Sequence, residues 1–330
     1  MTLHGKRVLV TGADGFIGSH LVEALAAAGA NVRAMVLYNS FNSWGWLDES
    51  PRAPELEVIA GDIRDAEFVR GAVSGVDIVF HLAALIAIPF SYRAPRSYVD
   101  TNITGTLNVV QAARDCEAAQ VIVTSTSEVY GTARYVPIDE AHPRQPQSPY
   151  SASKIAADAL AESYHLAFGT PVTVARPFNT YGPRQSARAI IPTVILQILA
   201  GNRRIKLGNT SPTRDLNYIE DTCRGLIALA GCNEAIGRSV NIGSGREIAI
   251  GALAELIARL MGADIEVVSD QDRVRPATSE VERLLCDNTL VHSLTGYAPR
   301  VPLEEGLTRT IDWLKNPRHR DRYKAELYNV

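Results

Sequence analysis

Arg7-Val8-Leu9-Val10-Thr11-Gly12-Ala13-Asp14-Gly15-Phe16-Ile17-Gly18-Ser19-His20-Leu21-Val22 is the stretch that decides the fold. An apolar run ends at a threonine, three glycines follow, and a helical apolar pattern starts at once. Gly12 permits a tight turn, Gly15 lets backbone approach a pyrophosphate, and Gly18 allows a helix to pack closely on a strand. The helix start around Phe16 and Ile17 then offers backbone N–H groups to negative charge. The flanking strand and helix matter more than the glycines, because the triplet alone is weak evidence.

Working outward, short apolar runs alternate with helical patterns. Strands are expected at Val8–Val10, Val32–Leu37, Leu56–Ala60, Val76–His81 and Gln120–Thr124, with helices near Ser19–Ala28 and Tyr98–Arg114. The run Val76–Phe80 is nearly continuous in apolar character, as in strands covered on both faces. The expected fold is α/β, a doubly wound parallel sheet. After about residue 175 the rhythm loosens: Pro177, Pro183 and Pro192 intervene, then a basic stretch at 203–206 and a turn-rich segment at 208–214. The division expected is residues 1–175 for a dinucleotide-binding domain with the catalytic groups. Residues 176–330 then form mainly a smaller substrate-binding lobe, some segments of which return to the sheet.

The 330 residues are 46% hydrophobic and 21% charged with a formal charge of −3, which gives no electrostatic reason to expect a nucleic-acid partner. Cys116, Cys223, Cys232 and Cys286 are widely spaced without a C-x-x-C pair and read as reduced thiols. Lys6-Arg7 leads straight into a strand with no apolar leader, and no apolar run reaches membrane-spanning length, so cytoplasmic residence is the expectation.

Asp62-Ile63 after the third strand is placed to meet an adenine, and Leu82-Ala83-Ala84 after the fourth lies where a dinucleotide would run. At the end of the second strand the chain has Val36-Leu37-Tyr38-Asn39-Ser40, without the carboxylate that normally receives the adenosine ribose. Arg33 is the only local cation, and NAD versus NADP stays open. Tyr150-Ser151-Ala152-Ser153-Lys154 sets a phenol and an ammonium one helical turn apart. The lysine cation and an oxidised nicotinamide would favour the phenolate, making Tyr150 a base at neutral pH. Thr124-Ser125-Thr126-Ser127-Glu128 follows a buried strand at the carboxyl edge, where ligands bind in such sheets.

Thr11–Gly18, Thr126 with Tyr150 and Lys154, and Arg176-Pro177-Phe178-Asn179-Thr180-Tyr181-Gly182-Pro183-Arg184 together resemble the extended short-chain dehydrogenase/reductase family over nearly the whole chain. The resemblance implies a Rossmann-type sheet, a tightly held NAD or NADP, a nucleotide-sugar substrate, and Thr126, Tyr150 and Lys154 as the catalytic set. It also assigns Asn179, Arg184, Arg214 and Arg275 to the substrate. Simple 4-epimerases of the family usually carry a small neutral residue where this chain has Glu128. Its 4,6-dehydratases usually have Asp-Glu where this chain has Ser127-Glu128, a departure shared by GDP-mannose 4,6-dehydratases and UDP-glucuronate decarboxylases.

Three segments, 38–48, 83–89 and Tyr328-Asn329-Val330, resemble the legionaminic-acid-pathway 4,6-dehydratases, whose implied substrate is GDP-N-acetylglucosamine or its UDP form. Trp44 and Trp46 in the first of these read either as a lid or as a core anchor. The implied reaction is C4 oxidation, elimination of water across C5 and C6 with Glu128 as base and acid, assisted by Ser127, and hydride return to C6. Competing readings are a UDP-glucuronate decarboxylase, a nucleotide-sugar 4-epimerase and a dinucleotide-sensing module without chemistry. The family further implies a homodimer joined by a four-helix bundle built from the helices after Tyr98 and containing Tyr150.

Overall fold

A computed structural model describes residues 3–324, so the Tyr328-Asn329-Val330 segment lies outside the described residues. Seven strands form the central sheet: β1 (Arg7–Thr11), β2 (Asn31–Leu37), β3 (Glu57–Gly61), β4 (Ile78–His81), β5 (Gln120–Thr124), β6 (Val172–Pro177) and, from late in the chain, Ser239–Ile242. All neighbours are parallel. From one edge the order is Ser239–Ile242, β6, β5, β4, β1, β2, β3, so the chain reverses direction between β1 and β4. Loops leaving those two strands therefore diverge and open a crevice at their carboxyl ends.

Side-chain alternation sorts the core into two layers. Val8, Val10, Ile78, Phe80 and Ile122 point toward Leu21, Val22 and Leu25 of helix Phe16–Ala27. Leu9, Val79, Val121 and Val123 point the other way, onto Val69, Val73, Val109 and Val110. Helices on both faces explain why these strands are apolar throughout.

Smaller sheets lie on the far side of the crevice. The basic stretch at 203–206 becomes strand Arg204–Leu207, with Ile205 and Leu207 buried and Arg204 and Lys206 exposed, paired in parallel to Glu266–Ser269. Strand Thr213–Tyr218 pairs with Asn179–Tyr181, Glu247–Ala249 and Arg283–Leu284.

The helix expected near Tyr98–Arg114 is broken into Pro95–Tyr98, a π-helical stretch Val99–Thr104, and Gly105–Asp115. Asn102 in the wide turn explains the distortion. Its amide accepts from the Leu85 N–H (2.8 Å) and donates to the Leu85 carbonyl (2.9 Å) and the Ser153 hydroxyl (2.9 Å). A regular helix would lose one or more of these contacts, and π-turns commonly mark functional sites.

Arg176, fully buried, binds Asp158 at 3.1 Å and donates to the Tyr130 hydroxyl at 3.0 Å, which donates in turn to Asn241 at 2.7 Å. This network fixes the segment after β5 against β6 and strand Ser239–Ile242. Removing Arg176 would leave the fully buried Asp158 carboxylate uncompensated, a loss of about 3–5 kcal/mol. The four cysteines are unpaired. Among the described residues no helix is long and apolar enough to cross a membrane.

Candidate active site

The crevice is a cavity of about 860 Å³ that runs from the glycine turn, past the carboxyl ends of β4 and β5, to strand Thr213–Tyr218. Gly12 has φ +68°, and a Cβ there would stand 2.8 Å from the Ala83 nitrogen. A Cβ on Gly18 would meet the Gly12 carbonyl at 2.1 Å. Both positions thus require glycine for close approach. Helix Phe16–Ala27 begins at Gly15 with no side-chain cap and no acid in its first turn, which leaves its N-terminal charge to a ligand anion. Phe16, Ile17, Asp62, Ile63, Leu82, Ala83 and Ala84 all line the same cavity. A dinucleotide fits this cradle by the chemistry of its walls.

A buried hydrogen-bond chain holds the cradle. Leu82 and Ala83 both donate backbone N–H to the Thr11 hydroxyl oxygen at 3.1 Å. The Thr11 proton is left for His81 Nδ1 at 2.9 Å, which makes the ring an Nε2–H donor to Thr106 at 3.0 Å, and Thr106 donates to the Asn102 carbonyl at 2.6 Å. His81 is therefore neutral, its pKa pushed down to about 3 by burial and then by the Lys154 charge. Strand ends β1 and β4 and the π-turn are thereby locked together at the point where the chain reverses.

Ser148 caps helix Pro149–Phe168 through a box with Ser151, and Pro149 fills its first position. Tyr150 sits in that first turn, 7% exposed, its ring against Tyr98 at 6.2 Å. Thr126 is the cap of the short turn Ser127–Tyr130 and accepts from the Glu128 N–H at 3.2 Å. Thr126, Ser127, Glu128, Tyr150 and Lys154 all face the cavity. Lys154 donates to the Thr124 carbonyl at 2.7 Å, and burial pulls its pKa down.

In the protein alone, without the nicotinamide charge that the expectation included, burial governs Tyr150. Burial pushes its phenol well above the ordinary tyrosine range, against the hydrogen bond from Thr126, with the Glu128 carboxylate adding to the rise. The phenol of the protein itself stays protonated through the neutral range.

At the other end of the cavity Glu280 stands between Arg214 (3.4 Å) and Arg275 (3.5 Å). The Asn179 Oδ1 is buried here without a hydrogen-bond partner. Arg184 does not line the cavity, and its guanidinium binds Glu23 on helix Phe16–Ala27 at 2.9 Å. Its backbone is left-handed, with φ +71°. Arg188 lines the cavity instead, and its charge opposes the rise at Tyr150. Gln185, Ser186, Arg188 and Glu280 were not singled out from the sequence, since isolated polar residues in loops carry no periodicity or spacing.

Trp46 acts as an anchor, whereas Trp44 is exposed. Trp46 packs against Trp313 at 5.4 Å under Arg322 at 4.2 Å, and neither Trp44 nor Trp46 lines the cavity.

A glycine cradle at the reversal point of a parallel sheet, with a tyrosine–lysine pair at its carboxyl edge, defines the extended short-chain dehydrogenase/reductase class, NAD-dependent epimerases and dehydratases included. The chain belongs to the GDP-mannose 4,6 dehydratase family, whose model matches residues 9–310. It is 34% identical to a dTDP-glucose 4,6-dehydratase of Streptomyces antibioticus over 94% of this chain and 93% of that one. Among solved structures, DesIV, a dTDP-glucose 4,6-dehydratase from Streptomyces venezuelae with NAD bound, superposes with a TM-score of 0.87 at 30% identity, covering 96% of this chain and 99% of that one. Epimerase Mth375 from Methanothermobacter thermautotrophicus gives 0.87 at 31% identity, with coverage of 97% and 95%.

Proposed function

We propose that this protein is an NAD-dependent nucleotide-sugar 4,6-dehydratase acting on GDP- or UDP-linked N-acetylglucosamine. The observation that carries the reading is Glu128, a carboxylate in the same cavity as Thr126 and Tyr150. Epimerisation at C4 gives such a group no task, whereas elimination across C5 and C6 needs one. The relatives named as dehydratases, one of them solved with NAD, support it. The choice of sugar rests on the likeness of residues 38–48 and 83–89 to legionaminic-acid-pathway enzymes.

Tyr150 takes the C4 hydroxyl proton while Thr126 orients that hydroxyl, and Lys154, braced on Thr124, holds its charge beneath the pair. NAD held by the glycine turn and the Leu82–Ala84 segment would supply a hydride acceptor for C4 and donor for C6, and a positive charge that favours the Tyr150 phenolate. The resulting ketone acidifies the C5 hydrogen, which Glu128 removes, the same carboxyl then protonates the leaving C6 hydroxyl with Ser127 assisting, and a solvent-exchanging proton is delivered to C5 as C6 regains hydride. Asn179, Arg214 and Arg275 hold the diphosphate or its surroundings, with Glu280 keeping the two guanidiniums in place. In this reading residues 1–175 supply cofactor binding and catalysis and 176–330 mainly cover the substrate. Two subunits pair through helices Gly105–Asp115 and Pro149–Phe168.

Incubation with GDP- and UDP-N-acetylglucosamine in deuterated water is expected to give a 6-deoxy-4-keto product carrying deuterium at C5, read by mass spectrometry and NMR. Release of carbon dioxide from UDP-glucuronate would make the protein a decarboxylase, and a C4-inverted sugar without loss of water would make it an epimerase.

A further inference from the structure

Strand β2 ends in Val36-Leu37-Tyr38-Asn39 without an acid, yet the cavity does have a carboxylate at that point. It comes from the glycine turn. The Ala13 N–H donates to the Met35 carbonyl at 3.1 Å, clipping the turn to the end of β2. The next residue, Asp14, lines the cavity beside Met35, Val36 and Leu37. From its other side the loop after β2 presses on it: the Trp46 N–H donates to the Asp14 carbonyl at 3.2 Å, and Gly45, at φ +61°, has no room for a side chain because a Cβ would stand 2.9 Å from that of Asp14. The Trp46 anchor on Trp313 thus holds Asp14 against the strand end.

We propose that Asp14 replaces the missing strand-end carboxylate, receives the adenosine ribose hydroxyls, and makes the site select NAD over its 2′-phosphorylated form. The inference rests on the NAD-dependent reading above and adds the residue that sets the cofactor choice. A carboxylate accepts hydrogen bonds from a ribose diol and repels a phosphate in the same place. The Leu37 backbone amide steadies the carboxylate, although burial pushes its pKa up from the ordinary aspartate value. Arginines that would welcome a 2′-phosphate are engaged elsewhere. Arg33 donates to the Ala72 (2.7 Å) and Ser74 (3.1 Å) carbonyls and pairs with Glu57 at 2.9 Å, and Arg64 is paired with Asp62.

The test is calorimetric titration of nucleotide-free protein with NAD and NADP, for wild type, Asp14→Asn and Asp14→Ala, with a thermal melt of each. Wild type is expected to prefer NAD. In both variants the NAD/NADP affinity ratio should fall about ten- to a hundredfold, NAD binding weakening and NADP binding tightening, as loss of a charge-assisted hydrogen bond and a repulsion predicts. A wild type that binds both equally, or variants in which both weaken together with a lowered melting temperature, would overturn the proposal by making Asp14 a structural residue only. Wild-type NAD preference that collapses on substitution, in a protein yielding no dehydrated sugar, would support Asp14 while sinking the reaction assigned above.

Discussion

A Tyr150→Phe protein is expected to bind NAD and nucleotide sugar nearly as the wild type does, melt at nearly the same temperature, and turn over about a thousandfold more slowly, within the range lost with a general acid–base group. Phenylalanine keeps the ring that packs on Tyr98 at 6.2 Å and removes only the hydroxyl that Thr126 engages. The loss therefore falls on kcat and leaves KM almost untouched. The raised phenol pKa gives the effect a pH signature. Because burial favours the protonated form, the wild-type rate of C4 oxidation should climb with pH through the neutral and mildly alkaline range, and the phenylalanine variant should lose that climb. A loss below tenfold, or an unchanged pH profile, would remove Tyr150 from proton transfer.

Glu128→Gln separates the two halves of the reaction. Its backbone N–H on Thr126 is unaffected by the change, so the geometry of the short turn persists. Oxidation at C4 should continue, seen as absorbance of reduced nicotinamide, while formation of the dehydrated sugar falls by a factor of about a hundred to ten thousand. Glutamine can neither take the C5 proton nor protonate the leaving hydroxyl. Undiminished dehydration would refute the double role. Equal loss of both steps would mean that Glu128 acts earlier, through Arg214, whose guanidinium feels its charge.

The parts of the site that repeat along the chain were legible in the sequence. Gly12, Gly15 and Gly18 declared the cradle because each occupies a place where backbone meets backbone, and Tyr150 with Lys154 declared a helix face. Apolar runs located β1 to β5 within about two residues, since burial on both faces makes the middle of the inner strands apolar. Residues whose role depends on a loop's path were not legible. Arg184 follows the Gly182-Pro183 turn and pairs with Glu23, while Arg188, four residues on, faces the cavity. The π-turn at Val99–Thr104 was invisible because its cause, Asn102, acts through Leu85 and Ser153, distant in sequence. Asp14 lay inside the quoted glycine stretch, yet only the folded turn places it beside Leu37.

The most direct test of the central claim, that a hydrogen leaves C4 and reappears at C6 of the same sugar, uses substrate deuterated at C4. The account predicts a 6-deoxy-4-keto product with that deuterium at C6, undiluted by solvent. Deuterium retained at C4, or lost to water with none at C6, would contradict it.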